Sequence, residues 1–437
     1  MSIIITLVVT VFGIILGKVI FKKWVNHLTI YCSTWGISIF LYELKLIPYP
    51  TIIPLAWFFI ISGFLSFLLG VLTIFSIRCN SRGSNIFLQK AEISFKIFAD
   101  NGSALKYSVI FFGLISIYTA FHYWMVLLNM FGSIPAILIN ANVIYKMGVH
   151  REIKEFLPYL PAVGYVGIFF SGIYTAYKGK FSFITFLPFI GVVLKELATV
   201  GRGGMLLGLT EFIFTFFLFR FLLNRDQNKR YLFSKKNAFF AISILVIFII
   251  TSSSLVRFTR STGENYTGAS RELKQLNKNL ILSPSVYLYL SSNIGVFSKY
   301  LELEKETASF GQNSLLPIYG VLAWFSLAER PEEVPRGYFV PMWTNSATYL
   351  REFHADFGIA GIFLVSYLIG LFVTWCWFKF FEDLNLIAFA ILIHFYNIIT
   401  FSVFGIITRS GYWWISLTMI ILYLPILEKL AKLKKSS

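Results

Sequence analysis

Charged residues make up only 14% of this 437-residue chain, histidine occurs five times and cysteine three. So small a charged fraction beside 57% hydrophobic residues excludes an ordinary water-soluble domain and describes a chain solvated mostly by lipid. Cys32, Cys79 and Cys376 all lie in or beside apolar runs, so no disulfide framework is indicated. No Cys or His set stands at metal-ligand spacing, and there is no His-Glu-x-x-His, P-loop or nucleophile-elbow sequence. Asp-x-Asp is missing as well, which argues against a metal-held sugar nucleotide; no metal and no cofactor is indicated. Neither an internal repeat nor a low-complexity tract occurs, which excludes a solenoid.

What the chain has is apolar length. Candidate spans fall at about residues 2–21, 28–47, 51–77, 107–131, 158–177, 181–200, 203–223, 238–256, 358–381, 386–405 and 412–427. Since a bilayer core takes about 20 apolar residues per helix, the expected fold is an all-α polytopic integral membrane protein. It would have about eleven transmembrane helices, within a range of roughly ten to twelve. Three segments follow: helices with short loops over 1–256, one long polar loop containing short helices over 257–357, and the last helices with a basic tail over 358–437.

Orientation follows from Lys and Arg, which collect in cytoplasmic connections. Lys429, Lys432, Lys434 and Lys435 put the C-terminus inside, and alternation then adds Arg220, Arg225, Lys229, Arg230, Lys235 and Lys236 to the same side. Arg78, Arg82, Lys90, Lys96 and Lys106 join them, as do Lys18, Lys22 and Lys23 after a first run that has no cleavage site. The N-terminus is thus expected outside. The long loop balances, with ten basic and ten acidic residues from Arg257 to Asp356. The net charge of +17 is therefore an inner-face signature and gives no reason to expect nucleic acid.

The same assignment sets Arg202, Arg257, Arg260 and Arg409 at outer mouths, against the general bias. A guanidinium grips phosphate oxygens bidentately, which suits a lipid-linked pyrophosphate at headgroup depth; snorkelling to ordinary headgroups is the bland alternative. Arg202 stands among Gly201, Gly203 and Gly204, where a ligand or a helix could approach the backbone closely. Lys195 and Glu211, seven before and nine after it, reach similar depths in an antiparallel pair and suggest an interhelical ion pair.

The loop ends Asn345-Ser346-Ala347-Thr348-Tyr349-Leu350-Arg351-Glu352-Phe353-His354-Ala355-Asp356-Phe357-Gly358. If helical, this puts Glu352 and Asp356 on one face, with Arg351 and His354 to either side. Glu352, His354 and Asp356 are the candidates for a base that removes a hydroxyl proton, against the plainer reading of a helix-entrance cap or packing residue. Loop aromatics such as Tyr287, Tyr300, Trp324 and Tyr338 could stack on sugar rings, although 284–300 and 314–328 look like short membrane-surface helices.

Taken together, the Gly-Arg-Gly-Gly turn, the Arg257-Phe258-Thr259-Arg260 opening of the loop and its Glu-Phe-His-Ala-Asp-Phe-Gly-Ile-Ala-Gly return resemble the Wzy-type O-antigen and oligosaccharide repeat-unit polymerases. The resemblance covers about Leu194 to Gly370. It implies a GT-C-like glycosyltransferase of the bacterial inner membrane, working without a metal at the periplasmic face on undecaprenyl-pyrophosphate-linked oligosaccharide. It further implies that Arg202, Arg257 and Arg260, with Arg271 and Arg409, hold the lipid pyrophosphate, and that a separate chain-length regulator protein is a partner beside membrane lipid. An O-antigen ligase and a lipid-linked oligosaccharide flippase are the alternatives.

Overall fold

Apolar runs in lipid can satisfy their backbone N–H and C=O groups locally only as helices, and helices dominate the structure. The computed structural model describes residues 3–82, 95–140, 143–144, 147–148, 152–153, 159–199, 201, 203–224, 243, 268–279, 282–304 and 308–436. The described helices are α1 (Ile3–Phe21), α2 (His27–Glu43), α3 (Pro54–Arg82), α4 (Ser103–Phe131), α5 (Ile134–Ile139), α6 (Ala162–Lys178), α7 (Phe183–Thr199) and α8 (Gly203–Leu223). They continue as α9 (Arg271–Lys278), α10 (Pro284–Leu303), α11 (Leu316–Trp324), α12 (Tyr349–Asp383), α13 (Leu386–Phe401) and α14 (Gly411–Ser436). A two-stranded antiparallel ribbon, β1 (Tyr338–Phe339) and β2 (Trp343–Thr344), pairs Tyr338 with Thr344 and Phe339 with Trp343.

Among the described residues, six helices are long and apolar enough to cross a membrane: α1, α3, α4, α8, α12 and α14. The runs expected at 28–47, 158–177, 181–200 and 386–405 also form helices, α2, α6, α7 and α13, but these have 17, 17, 17 and 16 residues. At 1.5 Å per residue each is about 25 Å long as described, at the lower end of the roughly 17–25 residues that span a bilayer core. The run expected at 238–256 lies outside the described residues, apart from residue 243.

The chain divides into two compact units. The first comprises residues 1–87, 261–378 and 395–410, and the second 88–260, 379–394 and 411–437. In the first, α1 leaves Ile4, Val8, Phe12 and Ile15 exposed while burying Thr6, Gly13 and Gly17 on its other side, the polarity expected of a lipid-facing helix. Helices α3 and α12 cross backbone to backbone. A Cβ on Gly70 would fall 2.2 Å from the Tyr367 carbonyl oxygen, and one on Gly370 would fall 2.1 Å from that of Phe67. Only hydrogen at both positions lets the backbones touch, the small-residue contact that joins helices where lipid supplies no hydrophobic drive.

Several polar groups of this unit are buried and pair across helices. Tyr31 and Tyr349 share a hydrogen bond of 3.2 Å, Trp35 Nε1 donates to Ser402 Oγ at 2.9 Å, and His27 Nε2 lies 2.9 Å from Thr374 Oγ1. Helix α10 packs against α2 and α3 and buries Tyr287, Asn293, Ile294 and Phe297. The surface helix expected at 284–300 is thus a core element: Ser291 Oγ meets Tyr49 Oη at 2.7 Å, and Ser298 Oγ accepts from Ile53 N at 3.0 Å. By contrast α11 buries none of its residues, and Trp324 is 88% exposed.

In the second unit α4, α6, α7 and α8 pack together, with α14 against α6 and α4. Phe112, Phe170 and Tyr423 form a mutually contacting aromatic cluster there.

Candidate functional site

The loop's return begins as a pinned helix start. Tyr349 donates its backbone N–H to Ser402 O at 2.7 Å, and Ser346 Oγ donates to Phe404 O at 2.7 Å. This fixes where α12 begins relative to the end of α13. The polar half of α12 then runs to Phe357 and breaks at Gly358, whose φ of 61° and ψ of −152° belong to a region that essentially only glycine occupies. The Asp-Phe-Gly sequence is therefore a hinge between a polar turn and an apolar span.

The three candidate bases sit on this turn, all buried, in different surroundings. Asp356 is saturated. Its Oδ1 accepts from Ser309 Oγ at 2.7 Å, Asn313 N at 2.9 Å and Asn313 Nδ2 at 3.0 Å. Its Oδ2 accepts from Ser314 N at 2.8 Å and Ser314 Oγ at 2.6 Å. Five donors on one carboxylate hold segment 309–314 onto the helix and leave little lone-pair capacity for a substrate proton.

Glu352 lies between two arginines. Arg351 Nη2 is 2.5 Å from Oε1, and Arg409 Nη1 is 3.8 Å from Oε2. Arg351 also donates from Nη1 to the carbonyls of Arg336 and Asn345, at 3.2 Å each. His354 Nδ1 lies 3.0 Å from Tyr300 Oη, and its ring packs edge-on to Tyr300 and against Phe59. Tyr338 extends the chain of contacts by donating to Glu304 Oε1 at 2.9 Å, where Arg336 Nη1 also pairs at 2.7 Å. Burial, followed by the hydrogen bond to Glu304, pushes the Tyr338 phenol up to about 12. It therefore stays a neutral donor at physiological pH.

Of the five arginines expected to hold pyrophosphate, Arg202, Arg257 and Arg260 lie outside the described residues. Arg271 is exposed at the start of α9, and Ser270 caps that helix by accepting from Leu273 N. Arg409 clamps the loop: Nη1 donates to Asn313 O at 2.8 Å, and Nη2 to Glu332 O at 2.9 Å and Glu333 O at 3.1 Å. Burial lowers its pKa, opposed chiefly by the Glu352 carboxylate. Beside it Thr408 Oγ1 donates to Ser314 O at 2.5 Å, so the 407–409 turn and the 309–314 segment are tied twice.

The structure thus gathers Glu352, His354, Asp356 and Arg409 into one patch and leaves Arg271 unassigned to it. It brings in Tyr300 and Tyr338, which the sequence offered as sugar-stacking aromatics, and adds Glu304, Arg336 and the Asn313-Ser314 turn, which sequence reasoning did not select. The polar Gly311-Gln312-Asn313-Ser314 run carried a turn signal. Glu304 and Arg336 are 32 residues apart and carried none.

The Gly201–Gly204 turn lies in the second unit. A Cβ on Gly204 would meet Glu196 Oε1 at 2.5 Å and Tyr165 Oη at 2.6 Å. Gly201 N donates to Glu196 O at 2.9 Å. The start of α8 therefore packs against a carboxylate of the chain's own, and the glycine is there to admit it. Lys195 Nζ donates to Tyr412 Oη at 2.5 Å and lies over the rings of Tyr412 and Tyr123. Glu211 is buried and its Oε1 has no hydrogen-bond partner. An ion pair to Lys195 was the expectation for it; the hydrogen bond described for the Lys195 amine goes to Tyr412.

Protein-family models, curated proteins and solved structures were compared with the chain, and none matches.

Proposed function

We propose that this protein is a membrane glycosyltransferase that polymerises oligosaccharide repeat units carried on undecaprenyl pyrophosphate, an O-antigen-type polymerase. In this reading the chain crosses the bacterial inner membrane about eleven times in a GT-C-like arrangement. Its long loop is periplasmic, its N-terminus outside and its C-terminus in the cytoplasm. One observation carries the proposal: a carboxylate, an imidazole and two guanidiniums, Glu352, His354, Arg351 and Arg409, gather on the polar turn that leads straight into an apolar span. A lipid-linked sugar presents its reacting carbon at that depth.

The reaction would run as follows. The terminal sugar hydroxyl of a new repeat attacks the anomeric carbon of the growing glycan; the new C–O bond forms as the bond to pyrophosphate breaks. The hydroxyl proton passes to a base, and undecaprenyl pyrophosphate departs with the electron pair. Glu352 and His354 are the candidates for that base, since Asp356 is committed to the 309–314 segment. Arginines stabilise charge building on the leaving group, a contribution on the order of 3 kcal/mol per well-placed donor. Arg202, Arg257 and Arg260 take that role, with Arg271 less closely placed, while Arg409 holds the loop against Glu352. A separate regulator of chain length is the expected protein partner.

The test is a gel ladder of surface polysaccharide from cells lacking this gene, complemented with wild type, Arg202→Ala or Arg257→Ala. Loss of the ladder to a single repeat, restored by wild type and by neither mutant, is the expected outcome. Long chains in both mutants would remove the pyrophosphate role. Undecaprenyl-linked polymer accumulating outside would identify a ligase instead, and single lipid-linked repeats accumulating inside a flippase.

A further inference from the structure

The second unit carries a groove unrelated to the site above. It lies between the N-terminal end of α4 and the C-terminal half of α14, has a volume of about 490 Å³, and is lined by Ala104, Tyr107, Ser108, Phe111, Tyr423, Leu430 and Leu433. Its walls are apolar, and the two polar groups on its floor satisfy each other: Ser108 Oγ and Tyr423 Oη are 2.9 Å apart. Tyr107, Phe111 and Leu433 are 56%, 55% and 59% exposed, so the groove opens sideways from two helices that are long and apolar enough to span.

Length and charge specify what fits. From Tyr423 to Leu433 is ten residues, about 15 Å of helix, which is the depth of one leaflet of a core about 30 Å thick. Basic residues collect at the end where α14 finishes. Lys429 and Lys432 are exposed on α14, and Lys106 on α4 lies 6.0 Å from the Tyr107 ring centroid. Lys96 reaches Glu428 only at 3.9 Å, and Lys434 and Lys435 follow in the sequence. The local acids are already engaged: Asp100 caps the start of α4 through Gly102 N and Ala104 N, and Glu428 faces Lys96. Among the described residues, basic side chains therefore outnumber acidic ones on this surface.

We propose that this groove is a binding site for an anionic glycerophospholipid, with one acyl chain laid between α4 and α14 and the phosphate held by Lys106, Lys429 and Lys432. A lysine near an anionic headgroup is worth about 1 kcal/mol, or roughly a fivefold change in affinity. The test uses the full-length protein in detergent, titrated with dioleoyl-phosphatidylglycerol or dioleoyl-phosphatidylcholine and read by native mass spectrometry. Phosphatidylglycerol should be retained in preference to phosphatidylcholine. Retention should fall about twenty-fivefold in Lys429→Gln/Lys432→Gln, which leaves the helix packing untouched, and should also fall in Ala104→Phe, which fills the groove.

Equal retention of the two lipids would overturn the proposal, as would undiminished phosphatidylglycerol binding in the double lysine variant. Displacement of the lipid by glycerol phosphate alone, at equal concentration, would also overturn it, since the acyl chain would then contribute nothing.

Discussion

Asp356→Asn isolates what the buried carboxylate does, because it keeps the shape and changes one atom's chemistry. Orientation of the amide decides the cost. With its oxygen at the Oδ1 position, the three donors from Ser309 and Asn313 keep their acceptor, but the new NH₂ faces the Ser314 N–H and hydroxyl, which now have none. Flipping the amide strands three donors instead of two. A buried donor left unsatisfied costs about 1–3 kcal/mol, and hydrogen bonds to a charged acceptor are the stronger kind. With two stranded, and the Ser314 hydroxyl free to rotate elsewhere, the expected loss is about 3 kcal/mol, on the order of a hundredfold in the local opening equilibrium. The assay is amide hydrogen exchange. Asn313 N and Ser314 N donate directly to the carboxylate, so their exchange should accelerate about a hundredfold, while the amides of α3 and the apolar half of α12 keep wild-type rates. Unchanged protection at Ser314 would refute the reasoning. Acceleration spread evenly through α12 would refute it too, since that would make Asp356 a determinant of the whole helix rather than of the 309–314 attachment.

Glu352→Gln should leave the buried Arg351 and the half-buried Arg409 without their shared counter-charge, at a cost of about 3 kcal/mol. Adding Arg409→Gln should recover more than about 1 kcal/mol of it in a double-mutant cycle by thermal unfolding, and strict additivity would show that the 3.8 Å pair is not coupled. Gly370→Leu drives a side chain into the Phe67 carbonyl and should lower the melting temperature in detergent through a loss of about 3 kcal/mol or more. Gly320→Leu, on an exposed stretch with open space at its Cβ, should leave it unchanged, and equal effects would deny the close crossing.

Much of the architecture was legible because lipid imposes one rule, that the backbone bonds to itself. Every apolar run whose residues are described became a helix, and the polar return of the loop became the helix start that sets Glu352 and Asp356 four residues apart. Whether a run is long enough to span was less legible. Hydropathy marks apolar residues, whereas helix ends are set by caps and packing. Asn26 accepts from Thr29 N at the start of α2, Gly179 takes φ of 67° at the end of α6, and the resulting helices have 17 residues each. Burial of 284–303 was likewise illegible, because its serines read as surface until the fold supplies partners from distant segments, as Tyr49 does for Ser291 and Ile53 N for Ser298.

Residue order alone sets the solvent of this protein, its helical class, its internal charge asymmetry and the segment where carboxylates, histidine and arginine concentrate. These follow from composition and periodicity, which local physics reads directly. Only the tertiary structure decided what those residues do to one another. It made Asp356 the anchor of a turn 42 to 47 residues away, put Glu352 between Arg351 and an arginine 57 positions further on, and set Glu196 against Gly204 in the first turn of α8. A side chain's chemistry is fixed by its type. Its spare capacity is fixed by its neighbours, which the fold brings from elsewhere in the chain.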